Sequence, residues 1–321
     1  MDLVVLANPK SGRGIAARLA RDLRAAARTR GHRCKLLEVG GSERLDPEKL
    51  AHADALAVVG GDGTVNRSAA AAIEARAPIY QIPTGNENLF ARALDMRRSP
   101  RAMLDAMESG QTGLADVGMA GPDPFLIMAS LGPDASVVRR VALSRRRAIG
   151  HLAYVEPMVR ELLRPAIPSL TVEVDGRRIV NADQGVLIIA NTREYAAHLD
   201  PCPDASLFSG DLHVAFLPAD GSVGVLRWGV SAWRRSVGTH PRAVVATGMR
   251  VGVDLHDPRT PIQIDGEWQN AHETQTRTEF SLQRAKLPVF TPLQRTETVF
   301  SSSKGTPTPG TPTAPGTCEV R

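Results

Sequence analysis

An open, mostly parallel α/β domain followed by a mainly antiparallel β domain is the fold this sequence predicts, on three observations. Strand-like and helix-like segments alternate up to about residue 110. Three apolar runs in that region each end in a loop rich in Gly, Asn, Ser or Thr. From Gly113 onward the segments are short, often β-branched, and separated by Gly, Pro and Asp turns.

Leu3 to Leu6 reads as a first strand, apolar on both faces as buried parallel strands are, and runs into Asn8-Pro9-Lys10-Ser11-Gly12-Arg13-Gly14. A helix over Ile15 to Arg28 follows, with Ile15, Leu19, Leu23 and Ala26 spaced as one apolar face. Lys35 to Val39 makes the second strand and Ala55 to Val59 the third. The third ends in Gly60-Gly61-Asp62-Gly63-Thr64, where three glycines leave the backbone free to approach a ligand. Alanine-rich Val65 to Ala75 predicts a helix with Thr64 as its cap. Pro78 to Ile82 is the fourth strand, and Pro83-Thr84-Gly85-Asn86-Glu87-Asn88 leads into a helical Leu89 to Leu94.

In the second half, strands are expected at Gly113 to Met119, Phe125 to Ala129, Leu170 to Val174, Gly185 to Ala190, Leu212 to Leu217, Met249 to Val253 and Pro261 to Ile264. Helical insertions are expected near Val137 to Leu163 and Ser222 to Val237. The Ser/Thr/Pro/Gly-rich stretch Ser301 to Arg321 predicts a disordered tail.

Bulk properties narrow the partners. A chain of 321 residues with 42% hydrophobic and 23% charged residues suits a soluble globular protein with room for two domains. Its net charge of +5, mostly from arginine, favours anionic partners such as nucleotide phosphates, nucleic acid or acidic lipid surfaces. No helix-turn-helix, RNP-like strand or zinc motif is present, which argues against nucleic acid. Three cysteines without metal-type spacing argue against a disulfide framework or zinc site and suit a reducing cytosol. No uncharged run approaches the roughly 20 residues of a membrane span, so membrane contact is expected to be peripheral. Arg139, Arg140 and Arg145 to Arg147 form one basic run, and Arg227, Trp228, Trp233, Arg234 and Arg235 another. Both suit anionic head groups, and both also suit a solvated basic face with core tryptophans.

The glycine loop carries the chemistry. Ligands of open α/β sheets bind off the carboxyl ends of strands, where all three polar loops fall. Orphan helix N–H groups favour phosphate there, and Asp62 could hold Mg²⁺ beside it. The first loop has neither Walker A spacing nor the third glycine of a dinucleotide fingerprint. Farther on, Pro261 to Glu267 reads as a strand ending in a turn that brings Asp265 and Glu267 close together, a spacing that an ordinary hairpin with exposed acids also fits.

As an ordered set, Asn8-Pro9-Lys10-Ser11-Gly12, Gly60-Gly61-Asp62-Gly63-Thr64 and Pro83-Thr84-Gly85-x-x-Asn88 resemble the catalytic domain of the diacylglycerol kinase family, which includes bacterial lipid kinases and is related to sphingosine and NAD kinases. Asp116-Val117-Gly118, Leu131-Gly132-Pro133-Asp134-Ala135, Gly150-His151-Leu152-Ala153-Tyr154, Pro203-Asp204-Ala205-Ser206-Leu207 and Asp265-Gly266-Glu267 extend the likeness in family order, to about residue 292. The resemblance implies ATP in a cleft between an α/β domain, residues 1–115, and a β-sandwich, residues 116–285. The segment about 285–300 would return to the first domain, ahead of the tail at 301–321. Asn8, Ser11, Gly12, Gly60, Gly61, Asp62, Gly63, Thr64, Thr84, Gly85 and Asn88 would hold the nucleotide. Asp62 and Asp116 would hold Mg²⁺, and Glu267 with Asp265 would supply the general base.

The implied activity is transfer of the γ-phosphate of ATP to a lipid hydroxyl, diacylglycerol first, by a cytoplasmic enzyme peripheral at the inner membrane face. A homodimer is left open. One departure stands out: where the family usually reads Gly-Thr-x-Asn-Asp, this chain reads Gly85-Asn86-Glu87-Asn88-Leu89, and the lost acid normally belongs to the magnesium network. Glu87 or Asp116 is the candidate replacement. The rival readings are an NAD kinase-like small-molecule kinase and a catalytically weak nucleotide-binding regulator.

Overall fold

Four apolar runs of the first hundred residues lie side by side as a parallel sheet. The computed structural model describes residues 1–40, 43–143, 152–269 and 276–291. Strands β1 (Asp2–Ala7), β2 (Arg33–Glu38), β3 (Ala55–Gly60) and β4 (Ile79–Pro83) pair in parallel in the order β2-β1-β3-β4. β3 is buried along its whole length because helices cover the sheet, whereas β2, at the edge, alternates.

The helices are α1 (Ile15–Thr29), α2 (Asp62–Ala75), the short α3 (Leu89–Ala93) and α4 (Pro100–Ser109). Two sequence expectations need correction here. α1 buries Ala16, Ala20, Leu23 and Ala27, a stripe rotated from the expected one, and leaves Ile15 exposed, since small alanines let the helix lie close to the sheet. α2 begins at Asp62, with Gly61 at its N-cap and no side chain capping it. Thr64 is therefore no cap; it is buried in the first turn, packed against Gly60.

The second half contains β5 (Thr112–Ala120), β6 (Asp123–Phe125), β7 (Met128–Leu131), α5 (Pro133–Leu143), α6 (Leu152–Leu163), β8 (Ser169–Val174) and β9 (Arg177–Ala190). It continues through β10 (Leu212–Pro218), α7 (Ser222–Trp233), β11 (Val244–Gly248), β12 (Arg250–Leu255), β13 (Ile262–Ile264), β14 (Glu267–Gln269) and β15 (Arg277–Phe290). These strands pair antiparallel and form a sandwich around Phe125, Leu187, Phe216, Val253 and Phe280, with Phe125 and Phe280 edge to face at 6.4 Å. β9 belongs to both layers: its first half pairs with β8 and its second with β7 and β10. α7 packs Trp228 and Ala232 on the outer face of the second layer.

β15 joins the two halves. It pairs antiparallel with β12 and β5, bulges between Gln283 and Leu287, and ends beside β4, where Val289 is in parallel register with Ile79. Leu287, Val289 and Phe290 thus enter the core of the α/β half. The expected strand Phe125 to Ala129 is divided instead into β6 and β7, for a reason that lies in the site. The expectations on Arg145, Arg146, Arg147, Gly150, His151 and the tail 301–321 lie outside the described residues.

Candidate active site

Three polar loops meet at the carboxyl ends of β1, β3 and β4. The Asn8 N–H donates to Val59 O at 3.1 Å, its carbonyl accepts from Ser11 N at 2.9 Å, and its Oδ1 accepts from Lys10 N at 3.1 Å. Thr84 N donates to Gly60 O at 3.1 Å, and Thr84 Oγ1 donates to Ser11 Oγ at 2.9 Å. A Cβ on Gly12 would come within 2.9 Å of Thr84 O. Asn88 closes its own loop: its Oδ1 accepts from Gly85 N and its Nδ2 donates to Gly85 O, both at 2.8 Å. The loops touch backbone to backbone at Gly61 and Gly85, where a Cβ on Gly85 would lie 2.7 Å from Gly61 Cα. Gly85→Ala is accordingly expected to cost about 1–3 kcal/mol by overpacking, measured as a lower unfolding midpoint in denaturant.

The carboxylates have more specific tasks than the sequence disclosed. Asp62 accepts from Leu89 N and Phe90 N, both at 3.0 Å, and so anchors the first turn of α3. Burial pushes its pKa up, against those two bonds. The contact at position 89 is made by the backbone, which any residue supplies, and the Leu89 side chain is 8% exposed within the α/β core. Glu87 faces Arg92 at 3.9 Å. Asp116 is committed elsewhere: only 4% exposed, it accepts from Gly210 N and Ala285 N at 2.8 Å each, tying β5 to the β15 bulge where Ala285 has φ of +48°. Among the described residues no group of three or more His, Cys, Asp or Glu could by itself hold a metal. The expectation of Mg²⁺ on Asp116 thus finds a buried structural acceptor. Asp62 is held in the same way, with one N–H on each oxygen, but it stands in the glycine loop at the N-terminus of α2, whose positive end favours the phosphates that a bound cation would accompany.

Asp265 and Gly266 form the two-residue turn between β13 and β14, both with positive φ, +48° and +79°, and Glu267 opens β14. The turn aims the two acids in different directions. Asp265 points inward and accepts from Leu126 N and Ile127 N at 2.8 Å, Met128 N at 3.0 Å and Asn66 Nδ2 at 2.9 Å. The amides of Leu126 and Ile127 lie between β6 and β7 and that of Met128 opens β7, which is why the predicted single strand breaks there. Burial pushes the Asp265 carboxyl up to about 6, while the four donors restrain the rise. Glu267 points outward and ion-pairs with Arg67 Nη1 of α2 at 2.9 Å. A Cβ on Gly63 would fall 2.9 Å from Glu267 Oε1, so the acid lies directly over the glycine loop.

A buried chain of hydrogen bonds leads away from this turn. Gly266 N donates to Gln263 Oε1 and Gln263 Nε2 to Ser130 Oγ, both at 2.7 Å. Ser130 Oγ donates to Asp134 Oδ2, which also accepts from Tyr195 OH at 2.6 Å. Burial first, and then the charge of Asp134, push Tyr195 well above the ordinary phenol range, so it stays a donor. Asp134 and Tyr195 border an apolar pocket of about 120 Å³ that Ile188, Leu217, Val225 and Trp228 also line. Asn66, Arg67, Gln263 and Tyr195 were not singled out from sequence. Their importance comes from contacts across as many as 200 residues of chain, which no local spacing reveals.

Comparison with known proteins finds relatives for both halves of the chain. Residues 2–120 match the diacylglycerol kinase catalytic domain, and residues 128–282 match the YegS C-terminal NAD kinase β-sandwich-like domain. A diacylglycerol kinase of Mycobacterium tuberculosis is 30% identical over 237 residues, spanning 70% of this chain and 76% of that protein. A diacylglycerol kinase of Bacillus subtilis is 25% identical over 222 residues, 67% of this chain and 71% of that one. In fold, the crystal structure of a diacylglycerol kinase from Bacillus anthracis matches with a TM-score of 0.64 at 15% identity, covering 91% of this chain and 97% of that one. Both halves of the chain and their order are thus accounted for, and the protein belongs to the diacylglycerol kinase and YegS-like family of lipid kinases.

Proposed function

We propose that this lipid kinase transfers the γ-phosphate of ATP to a lipid hydroxyl, with diacylglycerol as the first acceptor to try and Glu267 as the general base. The carrying observation is the placement of the Glu267 carboxylate over Gly63, in the first turn of α2. The uncapped N-terminus of α2 suits the triphosphate, because its orphan N–H groups and dipole favour anions. A phosphate held there would lie beside a carboxylate able to take the acceptor's proton, and positioning of that kind is most of what phosphoryl transfer requires. Ser11, Thr84 and the Gly61–Gly85 contact shape the nucleotide side, and Arg67 holds Glu267 in place. Mg²⁺, when bound with ATP, would neutralise charge on the transferring phosphoryl group, with Asp62 as the candidate ligand from this chain.

The apolar pocket bordered by Asp134 and Tyr195 supports a lipid acceptor over a dinucleotide, since it offers hydrocarbon contact beside a polar edge. No helix among the described residues is long and apolar enough to cross a membrane. The test is transfer of labelled γ-phosphate to a panel of lipids in mixed micelles, with NAD and Mg²⁺-free reactions alongside. Mg²⁺-dependent label in a phospholipid is the expected result. Label in NADP would transfer the chain to the small-molecule branch, and ATP binding without any transfer would support a regulatory protein.

A further inference from the structure

α7 is apolar on both of its faces. Val225, Trp228 and Ala232 point inward onto the sandwich, and Trp228 Nε1 donates to Pro218 O at 2.8 Å. Val223, Leu226, Val230 and Trp233 recur at helical spacing on the opposite side, exposed to solvent, Val223 at 71% and Trp233 at 67%. A helix with apolar residues all round is ordinarily enclosed by something.

The exposed stripe does not stand alone. α6 ends beside the start of α7, where Ser222 Oγ donates to Leu163 O at 3.4 Å, and it leaves Val159, Leu162 and Leu163 exposed, the last at 73%. Seven large apolar side chains on two adjoining helices therefore face water together. Around them stand the exposed Arg160, Arg164, Arg227, Arg234 and Arg235. Arg160 is paired with Glu156 and Arg235 approaches Asp200, but α7 itself carries no acidic residue.

We infer that the exposed faces of α6 and α7 form a membrane-docking surface that inserts Val223, Leu226, Val230, Trp233 and Leu163 into an anionic phospholipid bilayer. Charge complementarity selects this occupant, because arginines bordering an apolar stripe with an exposed tryptophan match an interface of acidic head groups above acyl chains. The placement agrees with the lipid-kinase reading, on which the choice of a bilayer over a protein partner rests. The inner face of α7 forms one wall of the apolar pocket bordered by Asp134, so docking through the outer face brings that pocket to the bilayer surface. An acceptor lipid would then enter without crossing water.

Flotation of the full chain with vesicles, in the absence of ATP, tests the surface independently of catalysis. Vesicles of phosphatidylcholine containing about one-third phosphatidylglycerol are expected to carry the protein, with binding falling about tenfold or more on pure phosphatidylcholine or at high salt. Leu226→Glu combined with Trp233→Glu is expected to reduce flotation about tenfold or more. Leu114→Glu, at an exposed apolar residue of β5, is expected to float like the parent. Tryptophan emission quenched by lipids brominated in their acyl chains, and no longer quenched after Trp233→Phe, would place that side chain in the bilayer. Failure of the parent chain to float, or equal flotation of the double variant, would overturn the proposal. So would a dimer in solution that the double variant converts to monomer, since a second copy would then be the occupant. A dispersed short-chain diacylglycerol assayed in parallel separates the two claims. Transfer retained in the double variant shows an intact active site, whereas absence of transfer in every chain counts against the kinase reading and leaves flotation to decide the surface.

Discussion

Glu267→Gln is expected to lower phosphoryl transfer to a lipid hydroxyl by about 10²–10⁴-fold, the range contributed by a positioned general base. The amide keeps the size and the contact with Gly63 but cannot take up a proton. ATP affinity should remain, because the nucleotide loops are held by Asn8, Ser11, Thr84 and Asn88 on other elements. Stability should also hold to within about 0.5 kcal/mol, since the Glu267 side chain is 61% exposed and an exposed ion pair such as that with Arg67 contributes little. Steady-state transfer in mixed micelles, paired with equilibrium ATP binding, separates these effects. Full turnover in the variant would remove Glu267 from the chemistry.

The second large effect concerns the fold. Asp265→Ala leaves the N–H groups of Leu126, Ile127 and Met128 and the amide of Asn66 without their acceptor. Asn66 keeps its bond to Pro124 O, and each of the three buried backbone groups left unsatisfied costs about 1–3 kcal/mol, so a loss of about 3 kcal/mol or more is expected, with Tm lower by on the order of 10 °C. Activity should fall with it, because the same turn carries Glu267. The charge state adds a pH signature. Burial raises the folded-state pKa to about 6 from the ordinary 3.8, so the folded protein holds this proton where the unfolded chain has released it. The contribution to stability is full below about pH 4 and is lost as pH rises through about 6. The Tm advantage of the parent over Asp265→Asn should therefore shrink from pH 4 to pH 7, as thermal melts in matched buffers would record. An advantage that widens over that range would contradict the raised pKa.

The parallel sheet was legible because buried parallel strands are continuous apolar runs, and β1, β3 and β4 carry almost no polar residue to confuse the pattern. The glycine loop was legible for a related reason, as its residues are close in sequence and their backbone freedom is local. β15 was not. Its alternation is broken at the bulge, and Gln283, Arg284, Ala285 and Lys286 form an exposed stretch in the middle of a strand. The acids were found, but their division of labour was not: Asp62, Asp116 and Asp265 all bind backbone amides, and an amide leaves no mark in a side-chain motif. Glu267 differs from these three in pointing outward, where it meets the Arg67 side chain and the glycine loop. The exposed side of α7 was half legible. Its arginines and tryptophans were visible as a cluster, yet only the packing separates inward Trp228 from outward Trp233.

The pairing of Val289 with Ile79 also sets a timetable for biosynthesis. On the ribosome, β4 emerges some two hundred residues before its neighbour β15, and until then the parallel sheet has an open edge with unpaired N–H and C=O groups. The α/β half therefore lacks one edge partner until the sandwich has been synthesised. Its last strand is synthesised only after the β13–β14 turn, so the edge of the α/β sheet and the turn that carries Glu267 are both completed late in synthesis.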